Sequence, residues 1–288
     1  MNDTAGPWAV EAQNLSYTYP GGVAALEEVT FRARPGEFVA VLGANGSGKT
    51  TLLKVLMRLL VPQAGTLRID GHDPAGLRPA EVYRRIGMVF QNPTDQLFAP
   101  TVELDVGFGP RNLGLPEDQV AARVEQSLAM VDAAGLRHRA IHHLSLGQQK
   151  RACLAGVLAM RPSILLLDEP TAGLDPRAES QTAELLLGER RRSGTTLILC
   201  THAVDLLPVL ADRVCVLRQG RLWREGTPEE IFGDATTAAA AGLRPPWIAQ
   251  LFQELLGQNG WPAGPLPLTV AEARRQILQR LAEGRGEK

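Results

Sequence analysis

The sequence is short of most features that mark a specialised surface. Its 30 basic and 31 acidic residues leave a formal net charge of -1, which argues against a surface devoted to nucleic acid. Three cysteines and five histidines leave little room for a metal centre. Cys153, Cys200 and Cys215 stand far apart among apolar neighbours, as buried reduced thiols of a cytosolic protein do. No apolar run approaches the roughly 18 residues needed to cross a bilayer. The stretch from Met1 to Pro7 has neither the positive start nor the apolar core of a signal peptide. The chain is therefore expected not to span a membrane itself, although a partner could hold it on one. The rest is ordinary for a globular protein: 44% hydrophobic and 21% charged residues, in a length of 288 that suits one large domain or two modest ones.

One stretch breaks this plainness. Gly43-Ala44-Asn45-Gly46-Ser47-Gly48-Lys49-Thr50 fits G-x-x-x-x-G-K-[ST], the P-loop pattern for a nucleotide triphosphate tail. Phe38 to Leu42 before it is unbroken apolar sequence, suited to a strand buried on both faces. Thr51 to Leu60 after it has leucines at helical spacing, with Lys54 and Arg58 expected on the opposite face. Successive backbone N–H groups of such a loop form an anion-binding nest, and the following helix presents its positive end to the same phosphates. Lys49 would reach the β and γ phosphates, and the Thr50 hydroxyl would ligate Mg²⁺. The loop with Thr51 behind it is thus the candidate site for ATP-like ligands.

Other candidates lie at the ends of apolar runs. Ile86 to Phe90 reads as a buried strand ending on Gln91, which could reach Mg²⁺ or an attacking water. Ile164 to Leu167 runs into Asp168-Glu169, and two carboxylates there need a positive partner. Asp168 would hold the metal and Glu169 would act as general base. Thr195 to Thr201 is another such strand and ends at His202. Parallel sheets align strand ends of this kind along one crevice. Ser145 and Gln148 have capping-box spacing, so a helix is expected to start there, another place where a phosphate could sit. Trp8 to Tyr19 alternates loosely, Pro20-Gly21-Gly22 turns the chain, and Val29 and Phe31 resume a period of two, which reads as an antiparallel sheet; Tyr19 is placed either to stack on an adenine or to serve as a plain strand aromatic.

Three regions are less chemical. From Asn92 to Gly114, prolines, glycines and scattered apolar side chains (Leu97, Phe98, Phe108) suggest a surface excursion that either meets a partner or packs under itself. Glu117 to Ala134 is helical by pattern, with Val120, Val124, Leu128 and Val131 on one stripe. After Val214 to Trp223, a hairpin, the tail starts a helix at Thr227-Pro228 and carries an apolar stripe from Trp247 to Leu256. Gly257 to Pro267 then separates it from a last helix. This tail should pack on the core or on a second subunit. His138, His142 and His143 could tempt a metal-ligand reading, but histidines near a helix boundary are more usually structural or solvated.

The P-loop, Gln91, the Ser145 helix start, Asp168-Glu169 and His202, in this order, resemble an ABC-type ATPase over most of the chain. The resemblance implies an α/β P-loop NTPase fold with four parts: a RecA-like parallel-sheet core, an N-terminal antiparallel β subdomain, an inserted helical subdomain over about 92–160, and a helical extension over 227–288 after an ATPase domain spanning 1–226. Leu144-Ser145-Leu146-Gly147-Gln148 stands where that family has Leu-Ser-Gly-Gly-Gln, so Leu146 replaces a glycine. Ala172 to Asp175 matches the D-loop, and Tyr19 falls where the adenine-stacking aromatic belongs. The resemblance further implies a head-to-tail pair of ATPase subunits, in which Ser145 and Gly147 of one contact the ATP on the P-loop of the other.

Gln91 to Val102 is similar to the ATPases of energy-coupling factor (ECF) importers, and His143 to Gln148 with Ala155 to Met160 is similar to their cobalt/nickel, CbiO-type branch. That implies a peripheral protein on the cytoplasmic face of the membrane, with a transmembrane coupling subunit, a separate substrate-binding membrane subunit and no nucleic acid. A vitamin transporter of the same type is the neighbouring expectation. A non-transport ABC ATPase would usually carry a coiled-coil insertion or second cassette, which this chain lacks.

Overall fold

Phe38–Leu42 is apolar at every position, and a strand with no polar face must be covered on both sides. A computed structural model, describing residues 8–233, 242–258 and 265–286, shows how. This strand, β3, is central in a six-stranded sheet of order β5-β6-β7-β3-β8-β9. It pairs with β7 (Thr196–Cys200) on one side and β8 (Arg213–Arg218) on the other; β6 (Ile164–Asp168) and β5 (Ile86–Val89) extend the sheet beyond β7, all parallel, and β9 (Arg221–Gly226) is antiparallel at the edge beyond β8. A second sheet of order β2-β1-β4 is antiparallel and joins β1 (Val10–Tyr19), β2 (Val23–Ala33) and β4 (Ala64–Ile69).

The two-residue period of a strand divides the core. Phe38, Ala40 and Leu42 of β3, Leu165 and Leu167 of β6, and Leu197 and Leu199 of β7 enter one buried cluster. The alternate residues Val39, Val41, Ile164, Leu166, Ile198 and Cys200 enter the other, with the antiparallel sheet and α1 (Lys49–Leu56). Arg213 pins the two sheets together: it pairs with Glu37 at 2.7 Å and Glu225 at 2.6 Å and donates to the Arg32 carbonyl. The three cysteines are free and buried, and burial pushes Cys153 and Cys215 up to about 12.

Chain order continues through α2 (Pro79–Arg85), α3 (Val102–Asn112), α4 (Glu117–Met130), α5 (Leu146–Met160), α6 (Pro176–Ser193), α7 (Leu207–Leu210), α8 (Pro228–Phe232), α9 (Trp247–Gln258) and α10 (Val270–Gly286). Helices α3, α4 and α5 pack together, and Val120, Val124 and Leu128 of α4 are buried as the stripe predicts.

Two expectations need correction. Helix α1 ends at Leu56 and does not run to Leu60. Arg58 takes a left-handed φ of 60°, and the Leu59 and Leu60 amides turn back to the Lys54 carbonyl, so Arg58 does not continue a face with Lys54. Asn92 to Gly114 is not simply a surface excursion, because α3 forms within it despite Pro110 and two glycines. Those glycines are packing notches: a Cβ on Gly109 would lie 2.7 Å from Met160, and one on Gly107 would lie 2.8 Å from Arg111. Leu97 is buried, while Phe98 and Phe108 are exposed.

The tail does pack on the core. Ala249 and Leu268 join the same cluster as β3, and the Trp247 amide donates to Asp205 at 2.7 Å. The apolar stripe of α9 is split, with Phe252 buried and Trp247 and Leu251 exposed. The Leu256 side chain and part of the Gly257 to Pro267 linker lie outside the described residues.

Candidate active site

The ends of β3, β5, β6 and β7 fall on one edge of the parallel sheet, because parallel neighbours share direction and register. The P-loop, Gln91, the Asp168-Glu169 pair and His202 each follow one of those ends. After β3, Gly43, Gly46 and Gly48 adopt φ of 150°, 76° and 104°. Gly43 and Gly48 have no room for a side chain as well: a Cβ would lie 2.3 Å from the Leu217 carbonyl oxygen and 2.5 Å from the Ala25 carbonyl oxygen respectively. Gly46 faces open space and is required only by its backbone. The loop is anchored from behind by Gly220, whose amide donates to the Ser47 carbonyl at 3.1 Å.

Helix α1 opens without the usual protein acceptors. Gly48 is its N-cap, no side chain caps it, and its first turn contains no acid. Its leading N–H groups and dipole therefore favour an anionic ligand. Lys49 is buried and donates to the loop carbonyls of Gly43 at 2.7 Å and Ala44 at 3.2 Å. Ser47 Oγ is buried with no hydrogen-bond partner among the described residues. Ala44 and Asn45 form the exposed crest of the loop. Tyr19 reaches the same helix, its hydroxyl 3.2 Å from Thr51 Oγ1, and its ring meets Tyr17 edge-on at 5.0 Å.

After β6 come the two carboxylates. Asp168 is buried, and burial raises its pKa against the opposing Thr50 hydroxyl hydrogen bond and the charges of Lys49 and Lys54. Glu169 is also buried and raised, by burial foremost, with His202 and Lys49 opposing and the Asp168 charge adding. It occupies the left-handed region at φ 48°, unusual for a side chain of its size. After β7, His202 brings Nε2 to 3.2 Å from Glu169 Oε1, and its amide donates to Oε2 at 3.3 Å. Oε1 is nonetheless buried without an aligned donor, so a lone pair is left for a proton. Gln91, past β5, is exposed and has no hydrogen-bond partner among the described residues.

A divalent cation fits this donor set. Thr50 and Asp168 offer adjacent hard oxygens, the ligand class Mg²⁺ takes, and the buried carboxylate is costly without a positive charge. Elsewhere, no group of three or more His, Cys, Asp or Glu converges among the described residues. His138 stands 3.2 Å from Glu103, and His142 meets His143 edge-on with 4.2 Å between ring centroids.

The Ser145 element is not part of this cluster. Ser145 caps α5 by accepting from the Gln148 amide at 3.4 Å, and Gln148 Oε1 accepts from the Ser145 amide at 3.0 Å. Ser145 and Gly147 line a separate cleft of 590 Å³ with Gly173, Leu174 and Asp175, and no residue from Gly43 to Thr50 lines it. One contact was not foreseen: Lys150 Nζ donates to the Glu169 carbonyl at 2.9 Å. Its signal in the sequence was a lysine one helical turn before Cys153 and Leu154, on the apolar side of α5.

The ABC transporter family model matches residues 26–172. The chain is an ABC transporter ATP-binding subunit. It shares 44% identity over 280 residues with the energy-coupling factor transporter ATP-binding protein EcfA of Methanocaldococcus jannaschii, covering 96% of this chain and 99% of that one. The structure of cbiO1 from Clostridium perfringens, part of the ABC transporter complex cbiONQ, aligns with a TM-score of 0.73 at 38% identity, covering 85% of this chain and 99% of that one. The ATP-binding cassette MJ0796, a dimer in a post-hydrolysis state with ADP and phosphate, aligns with a TM-score of 0.70 at 28% identity, covering 76% and 98%. This ABC subunit binds ATP and hydrolyses it in the service of transport. No helix among its described residues is long and apolar enough to cross a membrane.

Proposed function

We propose that this ABC subunit powers an ECF-type importer of a transition-metal ion, cobalt or nickel, from the cytoplasmic face of the membrane. Two ATPase subunits would work as a pair with a transmembrane coupling subunit and a separate substrate-binding membrane subunit. The relatives named EcfA support the ECF assignment, and the likeness to cbiO1 of a cbiONQ complex supports the metal branch. One structural observation carries the attachment to a membrane partner. Phe98 and Phe108 stack edge-on at 4.7 Å on the surface and, with Leu59, Tyr83 and Met160, line an apolar groove of 470 Å³. An exposed apolar groove at the junction of core and helical insert suits an amphipathic helix of the coupling subunit.

In the chemical step Lys49 would leave the Gly43 and Ala44 carbonyls for the β and γ phosphates of ATP, with the loop amides and the α1 N-terminus around them. Tyr19 would stack on the adenine, held by Thr51. Mg²⁺ on Thr50, Asp168 and Gln91 would neutralise charge on the phosphate oxygens. Glu169 would take the proton of the attacking water on Oε1, while the His202 amide keeps Oε2 in place. Ser145 and Gly147 line a cleft apart from the loop of their own chain, which supports their contacting, with Gln148, the ATP on a second subunit. The dimeric state of MJ0796 supports the same pairing.

The test is uptake by the whole complex, purified through this subunit and reconstituted in liposomes. ATP-dependent accumulation of Co²⁺ or Ni²⁺ is expected. Accumulation of a vitamin in place of either ion would move the protein to the vitamin branch, and purification without a polytopic partner would overturn the ECF assignment.

A further inference from the structure

Glu169 is held from four directions. Its amide donates to the Cys200 carbonyl at 2.9 Å, and the His202 amide donates to its carboxylate. Its carbonyl accepts from the Ala172 amide at 3.1 Å and from Lys150 Nζ at 2.9 Å. The first three partners belong to the core. Lys150 alone, among the described residues, reaches Glu169 from the helical insert.

The placement of Lys150 is costly. The side chain is 6% exposed and has no carboxylate in ion-pair contact among the described residues. Burial lowers its pKa, while the Glu169 charge works the other way. A buried ammonium with one carbonyl acceptor does little that a methionine could not do for packing. The carbonyl it holds belongs to a residue at φ 48°, a strained conformation that persists only where the surroundings impose it. Lys150 also lies five residues after Ser145 on one continuous helix, an axial step of about 7.5 Å. A rigid rod thus has the Ser145 cap at one point and the backbone of the catalytic carboxylate at another.

We propose that Lys150 is a positioning residue that couples the two ATP sites of the dimer through α5. When Ser145 meets the nucleotide of the partner subunit, α5 shifts, and Lys150 transmits the shift to the Glu169 carbonyl. The carboxylate is then aligned for the ATP on its own P-loop. Each subunit senses the partner's nucleotide and sets its own base accordingly. This rests on the head-to-tail reading above.

The experiment is steady-state ATPase activity against ATP concentration for the full chain, with Lys150→Met and Lys150→Arg. Lys150→Met is expected to lower kcat by about tenfold or more, the usual consequence of losing a charge-assisted hydrogen bond in a transition-state assembly. It should also abolish positive cooperativity in ATP, with binding of a fluorescent ATP analogue unchanged. Lys150→Arg keeps the charge and the donor and should restore most of both. Wild-type rate and cooperativity in Lys150→Met would overturn the proposal. So would equal rate loss in both variants with cooperativity intact, the pattern of a merely structural lysine. If Lys150→Met fails to fold, Lys150→Leu, which likewise lacks a donor, replaces it under the same criteria. Glu169→Gln serves as the control: its failure to form an ATP-stabilised dimer refutes the head-to-tail reading. A trapped dimer with Lys150→Met indistinguishable from wild type refutes only the coupling.

Discussion

Glu169→Gln is the substitution on which the site geometry makes its sharpest demand. Glutamine keeps the shape and an acceptor for the His202 amide but cannot take a proton at the position of Oε1. General bases contribute about 10²–10⁴-fold, or about 2.7–5.5 kcal/mol of barrier. The expected kcat is therefore lower by that factor, with ATP affinity unchanged and a dimer that persists in ATP by light scattering. A rate within about tenfold of wild type would place the base elsewhere, since it falls short of the range for a lost base. Stability gives a second readout. Burial raises Asp168 and Glu169, so both hold protons to higher pH in the folded chain than in the unfolded one. The stability tied to these raised groups is present below the ordinary carboxylate range and lost as pH rises through their folded values. At neutral pH the nucleotide-free Glu169→Gln protein should then melt higher than wild type by calorimetry. The difference should close as pH falls below about 4, where the carboxyl becomes neutral in both states. The rate should rise with pH as Glu169 loses its proton, a limb missing from the variant.

Two further substitutions separate the working surfaces. Ser145→Ala removes the α5 cap, worth about 1 kcal/mol, so a modest drop in melting temperature is expected. The same variant should bind ATP yet fail to dimerise with it, and normal ATP-driven dimerisation would remove Ser145 from the partner's site. Phe98→Glu puts a charge in the exposed apolar groove. The isolated subunit should keep its ATPase activity while its membrane partner no longer co-purifies; an intact complex would mean the groove is not the docking surface.

The patterns that reached furthest from the sequence were those governed by local rules. Five apolar residues before a glycine loop imply a strand buried on both faces, and β3 is one. Ser145 and Gln148 at capping-box spacing imply a helix start, and α5 starts there. The end of α1 was hidden because Leu59 and Leu60 continue the apolar spacing while Arg58 turns the backbone. Helix α3 was hidden because Gly107, Gly109 and Pro110 read as loop, yet Gly109 lets α3 press on Met160. The sequence by itself determined which residue types bear charge, the buried strand before the glycine loop and the start of α5. Only the tertiary structure decided which strand ends share an edge, that Glu169 Oε1 lacks an aligned donor, and that Ser145 stands in a different cleft from Lys49. It also decided the contact of Lys150 with a carbonyl 19 residues away. Helical period can place a lysine on an apolar face, but the backbone it meets there is set by how the insert lies on the sheet.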